Sequence, residues 1–265
     1  VPRRAATNIV DTRWVLTWKL VDNKITIKCR LTMRGFRDCD DQLETFAGTA
    51  SRAGQRIVNS IVVQNADFVL FSFDVSQAFA KGLTFADYAR LTGTELREVS
   101  FELKEEDVSV IRKIPGYETR NHRTEVLRML KPIYGLKDAP RAWQKRLHEV
   151  LVEFGLRSLL AEPELYTAHH GNNDKQKVHK KITIQDRVLN EKAAGKEESV
   201  PVAEEWLVNK HKQLSIILSA HVDDLKGGAR KEVALKLLKL LEEKFGPCKN
   251  EWNTFTHTGV CHDQK

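Results

Sequence analysis

From Val15 to Val21 the chain is rich in β-formers, and from Ile25 to Leu31 apolar and polar residues alternate, with Asp22-Asn23-Lys24 between them as a turn. A period of two puts alternate residues on opposite faces of a strand, so a hairpin is the simplest reading of the stretch from Trp14 to Phe36. The period then changes: Ile57, Val58, Ile61 and Val62 fall on one helical face between Arg56 and Ala66. The run from Phe68 to Val75 reads as a buried strand, with Val69, Phe71, Phe73 and Val75 on one side and Leu70, Ser72 and Asp74 on the other. Trp143, Leu147, Val150, Leu151 and Phe154 keep helical spacing from Ala139 to Phe154, with Asp138 as the expected N-cap and Gly155 at the C-terminal turn. A second helix is predicted from about Lys231 to Phe245, stopped by Gly246-Pro247.

From Leu214 to Gly228 the pattern is again that of strands. Leu214, Ile216, Leu218, Ala220 and Val222 are expected on one face, and Ser215, Ser219, His221 and Asp223 on the other. Residues 84–128 and 158–166 carry no single period. The segment 171–212 holds 16 charged residues in 42 and reads as a solvated insertion or partly disordered loop. There are no internal repeats.

Composition narrows the class. The chain has 265 residues, 43 Lys and Arg against 36 Asp and Glu, and a net charge of +7, a moderate balance that fits a globular protein and permits a polyanionic partner such as nucleic acid without pointing to one. No run approaches the roughly 18–20 apolar residues of a bilayer span, so no membrane partner is expected, and Val1 to Ala6 contain no secretory signal. Cys29, Cys39, Cys248 and Cys261 are too scattered for a disulfide framework. Cys29 is expected to be a buried strand thiol. His257, Cys261 and Cys248 match no zinc ribbon or knuckle, and His262 is expected to be exposed.

The chemistry concentrates in acids at strand ends. Acidic doublets recur along the chain and are ordinarily solvated turns, but Asp223-Asp224 closes an apolar strand, where carboxylates are costly unless paired, exposed or bound to a cation. Asp74, on a separate strand, supplies a third oxygen donor of the kind that hard divalent ions prefer.

Five blocks, in order, then give the sequence a family likeness. Lys28–Phe36 is similar to a "KARLVARGF" strand, Glu44–Ala47 to "ETFAPV", Phe73–Phe79 to "LDVKTAF", Tyr134–Trp143 to "YGLKQAPRAW", and His221–Asp224 to "YVDD". Over residues 14–260 the chain resembles the reverse transcriptase domain of copia-type LTR retrotransposons. The resemblance implies an α+β polymerase right hand: an antiparallel palm sheet backed by helices, with β-rich fingers at about 14–66 and insertions at about 84–125 and 171–212. It implies that Asp74, Asp223 and Asp224 are catalytic and hold two Mg²⁺ ions, or Mn²⁺ as a substitute, with Asp74 and Asp223 as direct ligands and Asp224 in support. Lys28, Arg30 and Arg34, which strand alternation places on one face, would grip the triphosphate. Val75 and Leu136 would adjoin the nucleotide, Phe79 would sit beneath its sugar and exclude a 2′-hydroxyl, and Trp143 would anchor its helix.

The implied partners are an RNA or DNA template with its primer, deoxynucleoside triphosphates, and the RNase H, integrase and protease domains of a polyprotein. The thumb, RNase H and integrase are expected to lie outside this chain. The implied compartment is a cytoplasmic virus-like particle, with the nucleus as the alternative. The chain departs from the family in three ways. His221 stands where a Tyr would touch primer and nucleotide, Gly48 replaces Pro after the "ETFA" block, and 149 residues separate Asp74 from Asp223. An inactive retroelement relic that at most binds nucleic acid is therefore the alternative reading.

Overall fold

The two alternating stretches pair as expected. In the computed structural model, which describes residues 1–21, 24–170 and 213–264, β1 (Ile9–Val21) and β2 (Lys24–Met33) form a long antiparallel ribbon in which Trp18 lies opposite Ile27 and Leu20 opposite Ile25. Directly opposed residues share a face. Trp14, Leu16, Trp18, Leu20, Ile25, Ile27, Cys29 and Leu31 therefore make one apolar face, and Thr17, Lys19, Thr26, Lys28 and Arg30 belong to the other. The apolar face is uncovered, with Trp18 75% and Ile25 74% exposed. Cys29 is exposed with it, not buried as its strand position suggested, because the ribbon projects beyond anything that packs on it. The base of the ribbon is held by β4 (Ser100–Glu102), parallel to β1, and β5 (Leu127–Arg128).

The second sheet has six strands, all neighbours antiparallel, in the order β10-β3-β9-β8-β7-β6: Cys248–Trp252, Val69–Val75, Asp224–Ala229, Gln213–His221, Leu165–His170 and Arg157–Ser158. Helices α4 (Ala139–Glu153) and α5 (Lys231–Phe245) bury Trp143, Leu147, Leu237 and Leu241 on one face, against Phe71, Phe73, Val75, Ile216, Leu218 and Ala220. Across the sheet, α1 (Arg52–Gln64) and a hairpin of β11 (Thr254–His257) and β12 (Val260–Asp263) cover Leu70, Leu165 and Ile217 with Val58, Val62 and Phe255. The faces follow the sequence pattern except at Leu214, which packs with the α1 layer. The β7–β8 register shifts there, leaving Ser215 unpaired in a bulge, and one extra residue reverses the alternation.

Three further expectations are corrected or lie out of reach. Asp138 occupies the N-cap position of α4 but makes no capping bond; its carboxylate pairs instead with Arg97, which also binds Asp38 and Asp40. His262 is buried at 7% exposure, because the β11–β12 hairpin turns it under α1 near Asn59. The predicted turn residues Asp22 and Asn23, and the segment 171–212, lie outside the described residues. Residues 84–128, which carried no single period, contain α2 (Phe85–Thr92), β4, α3 (Glu105–Ile111) and β5. Among the described residues no helix is long and apolar enough to cross a membrane.

Candidate active site

Asp74 is the penultimate residue of β3, and strand pairing sets it opposite Asp224, the first residue of β9. β8 and β9 are joined by the two-residue turn Val222-Asp223, and the Val75 N–H donates to the Asp223 carbonyl at 3.1 Å. Two backbone constraints thus bring the three acids to one sheet end. The turn is strained: Val222 has φ +58°, a region β-branched residues avoid. Trp143 holds it there, its indole Nε1 donating to the Val222 carbonyl at 2.7 Å while its ring packs edge-on against Phe245.

Ser72, Asp74, Asp223, Asp224, Lys249, Glu251 and Thr256 line a cavity of about 230 Å³. Burial pushes the Asp74 carboxyl above its ordinary range, Asp223 and Asp224 push it further, and the Lys249 and Lys28 ammoniums pull the other way. Among the described residues no three Asp, Glu, His or Cys side chains stand ready to hold a metal ion as they are placed. The donor set nonetheless fits a hard divalent cation in kind. It consists of carboxylate oxygens in one cavity, and the like-charge repulsion that raises Asp74 is what a cation relieves. Closing these acids around an ion needs side-chain rotation, for which Asp74 and Asp223 are freer than Asp224. Asp224 Oδ1 accepts from Ser72 Oγ at 3.1 Å, and its Oδ2 lies 3.0 Å from His257 Nδ1.

The ribbon supplies the opposite charge. Lys28 is close enough for its ammonium to act on Asp74, and the Arg30 guanidinium lies 5.5 Å from the centre of the Tyr134 ring. Tyr134 in turn packs on Phe79, with ring centres 5.0 Å apart. Burial raises the Tyr134 hydroxyl's pKa, and Asp223 and Asp74 add to that while Arg30 opposes it. The ribbon docks where two glycines meet. A Cβ on Gly35 would stand 2.1 Å from the Gly135 carbonyl, and one on Gly135, at φ +98°, would stand 1.9 Å from the Met33 carbonyl. The Met33 N–H donates to the Tyr134 carbonyl at 2.8 Å across the same junction.

The other predicted residues are spread around this centre. Arg34 follows the end of β2, so the alternation stops one residue short of it, and its guanidinium pairs with Asp11 at 3.1 Å. Val75 is fully buried under α4 and α5, and Leu136 is buried in a second cluster with Met33, Phe85 and Val99. His221 is half-buried and pairs across the hairpin with Asp224. Sequence reasoning missed His257, the indole donor of Trp143 and the Arg97 hub. His257 entered the sequence reading only beside Cys261 and Cys248, as a set that fits no zinc site, and nothing local to Arg97 announces partners that are 41 and 59 residues away.

Comparison with known proteins bears on this geometry. A sequence model described as "Reverse transcriptase (RNA-dependent DNA polymerase)" matches residues 99–232, which takes in Tyr134–Trp143 and Asp223-Asp224. The chain is 27% identical over 176 residues to the "Retrovirus-related Pol polyprotein from transposon RE2" of Arabidopsis thaliana, covering 65% of this chain and 11% of that protein. Against the corresponding RE1 polyprotein of the same plant it is 26% identical over 176 residues, covering 65% and 10%. The chain thus spans about a tenth of the length of the curated relatives it matches. With the ordered motif blocks, the strand-end acids and a match over half its length, the chain belongs to the reverse transcriptase (RNA-dependent DNA polymerase) family.

Proposed function

We propose that the chain is the catalytic part of an RNA-directed DNA polymerase from a transposon polyprotein, joining deoxynucleotides to a primer 3′-hydroxyl. The observation that carries the reading is the meeting of Asp74 with Asp223-Asp224 in one cavity, with the basic face of the ribbon beside it. In this reading the six-stranded sheet is the palm and the stretch at about 14–66 the fingers. Asp74 and Asp223 hold the metals, and Asp224 supports them. Mg²⁺ or Mn²⁺, when bound, supplies Lewis-acid activation of the hydroxyl and neutralises charge on the phosphates.

The protein's own part is positioning. Lys28 and Arg30 draw the triphosphate toward the acids. Phe79, braced by Tyr134, supports the sugar. Arg34 acts through Asp11 to fix the ribbon base, and Val75 and Leu136 shape the floor from within the core. Template, primer and the remaining polyprotein domains are the partners, in a cytoplasmic particle. A second reading, a relic that only binds nucleic acid, draws on His221 in place of the family's Tyr.

Primer extension on an RNA template with a DNA primer and Mg²⁺ tests the proposal. The expected result is deoxynucleotide incorporation that falls at least about 100-fold in Asp223→Asn, the scale of losing one preorganised electrostatic group. Incorporation unchanged in that variant would refute the site. Binding of primer–template without any incorporation would favour the relic.

A further inference from the structure

Behind Asp224, on the α1 side of the sheet, lies a histidine that no part of the proposed reaction uses. His257 closes β11 and its side chain is fully buried. Its Nδ1 stands 3.0 Å from Asp224 Oδ2, and neither ring nitrogen has an aligned hydrogen-bond partner among the described residues. A buried imidazole without partners is costly, so the Asp224 carboxylate, 3.0 Å from Nδ1, is where it gains most. Ser72 donates to the other oxygen of that carboxylate. Asp224 is therefore approached by protein groups at both oxygens, one from the adjacent strand of its own sheet and one from a hairpin packed across the sheet face. For Asp74 and Asp223 the described contacts include no such hydrogen bond or ion pair.

We propose that His257 is a positioning residue for the metal site: through Nδ1 it fixes the rotation of the Asp224 carboxylate, and so sets the donor geometry that Asp224 presents toward Asp74 and Asp223. The inference rests on the proposed function, because it needs those acids to bind a divalent ion. Groups that orient a ligand from behind typically change metal affinity by about 10- to 100-fold when removed. The contact also gives the β11–β12 hairpin a defined task. The hairpin turns at Thr258-Gly259, both with positive φ, as a two-residue turn of this twist requires, and that turn carries His257 beneath the sheet end.

The atom at work distinguishes this role from space-filling. Asn places its amide nitrogen at the same number of bonds from the backbone as Nδ1, whereas Gln places it where Nε2 stood. The experiment is Mn²⁺ binding to the full chain, read from the loss of the free-ion electron paramagnetic resonance signal, with no nucleotide and no turnover. Thermal melting of each variant confirms folding. The native chain should bind Mn²⁺, Asp74→Asn and Asp223→Asn should abolish the binding, His257→Phe should weaken it about tenfold or more, and His257→Asn should recover most of the loss while His257→Gln does not. Native-like affinity in a folded His257→Phe variant would overturn the inference and leave the proposed function standing. So would equal recovery by Asn and Gln. No Mn²⁺ binding by the native chain, or binding indifferent to Asp74 and Asp223, would overturn the reading of the acids and the inference with it.

Discussion

Trp143 does two things with one ring: it fills the core between α4 and α5, and it caps the carbonyl of a strained turn. The first role is legible from helical spacing, since a large apolar residue on the buried stripe of an amphipathic helix is a core anchor. The second is not, because its partner is 79 residues away and its need arises from a backbone conformation that only the folded hairpin has. Trp143→Phe keeps an aromatic ring in the core, at some loss of volume, and drops the donor. It should cost about 1–3 kcal/mol for the carbonyl left unpaired, and extension by the variant should fall because the turn carrying Asp223 loosens. Melting and extension assays on the same preparation check both, and full activity at lowered stability would separate the turn from the chemistry. Phe79 makes the complementary case. Its ring, braced by Tyr134, is the proposed sugar platform, so Phe79→Val should raise ribonucleotide use relative to deoxynucleotide use roughly 10- to 100-fold, the range that a pocket's apolar bulk controls. Competition between labelled nucleotides measures it. The acids were legible for a simple reason: carboxylates at the end of an apolar strand are conspicuous. The burial of His262 and the exposure of Cys29 were not legible, since both depend on what the rest of the chain lays over them.

Among elements, the long ones were readable and the short ones were not. α4, α5, β3 and the β8–β9 hairpin have enough residues for a period to show, while β4, β5 and β6 have two or three each and take their conformation from their neighbours. A single bulge at Ser215 was enough to move Leu214 to the other side. The entry to β7 shows what a short connection can hide. Glu164 is buried there, and burial pushes its carboxyl up to about 7, against a downward pull from Gln144, whose amide it accepts. Gly48 explains part of that fit, since a Cβ there would stand 2.8 Å from Glu164 Oε1, so this chain's departure from the family's Pro leaves room for the acid. Because the folded chain holds this proton more tightly than the unfolded one, whose ordinary value is 4.5, its contribution is full below about pH 4.5 and lost as pH rises through about 7. Glu164→Gln should therefore flatten stability across that window and gain on the order of 3 kcal/mol at pH 8. Urea midpoints at pH 4.5 and 8 test this, and a variant as pH-sensitive as the native chain would refute it.

At the scale of the whole molecule, two regions are tied by one side chain. Arg97, 10% exposed, gathers Asp38 and Asp40 from the loop after the ribbon and Asp138 from the start of α4, so it links the ribbon's exit to the helix that braces the acids. Asp38 is buried, yet its bonds to Arg97 and Asn8 hold its carboxyl below the usual range. Arg97→Met should cost about 3–5 kcal/mol, the penalty for stranding buried charges, and a denaturant midpoint reads it directly. No local pattern predicts such a knot, because it is made of residues that meet only once both sheets are in place. The ribbon carries a different consequence, a colloidal one. With a net charge of +7 the copies repel one another through solvent, and that repulsion shrinks to a range of about 8 Å at physiological salt, while attraction between bare tryptophan-bearing faces does not shrink with it. The chain handled alone should therefore scatter more light as salt is added, and Trp18→Thr with Ile27→Thr should keep it dispersed.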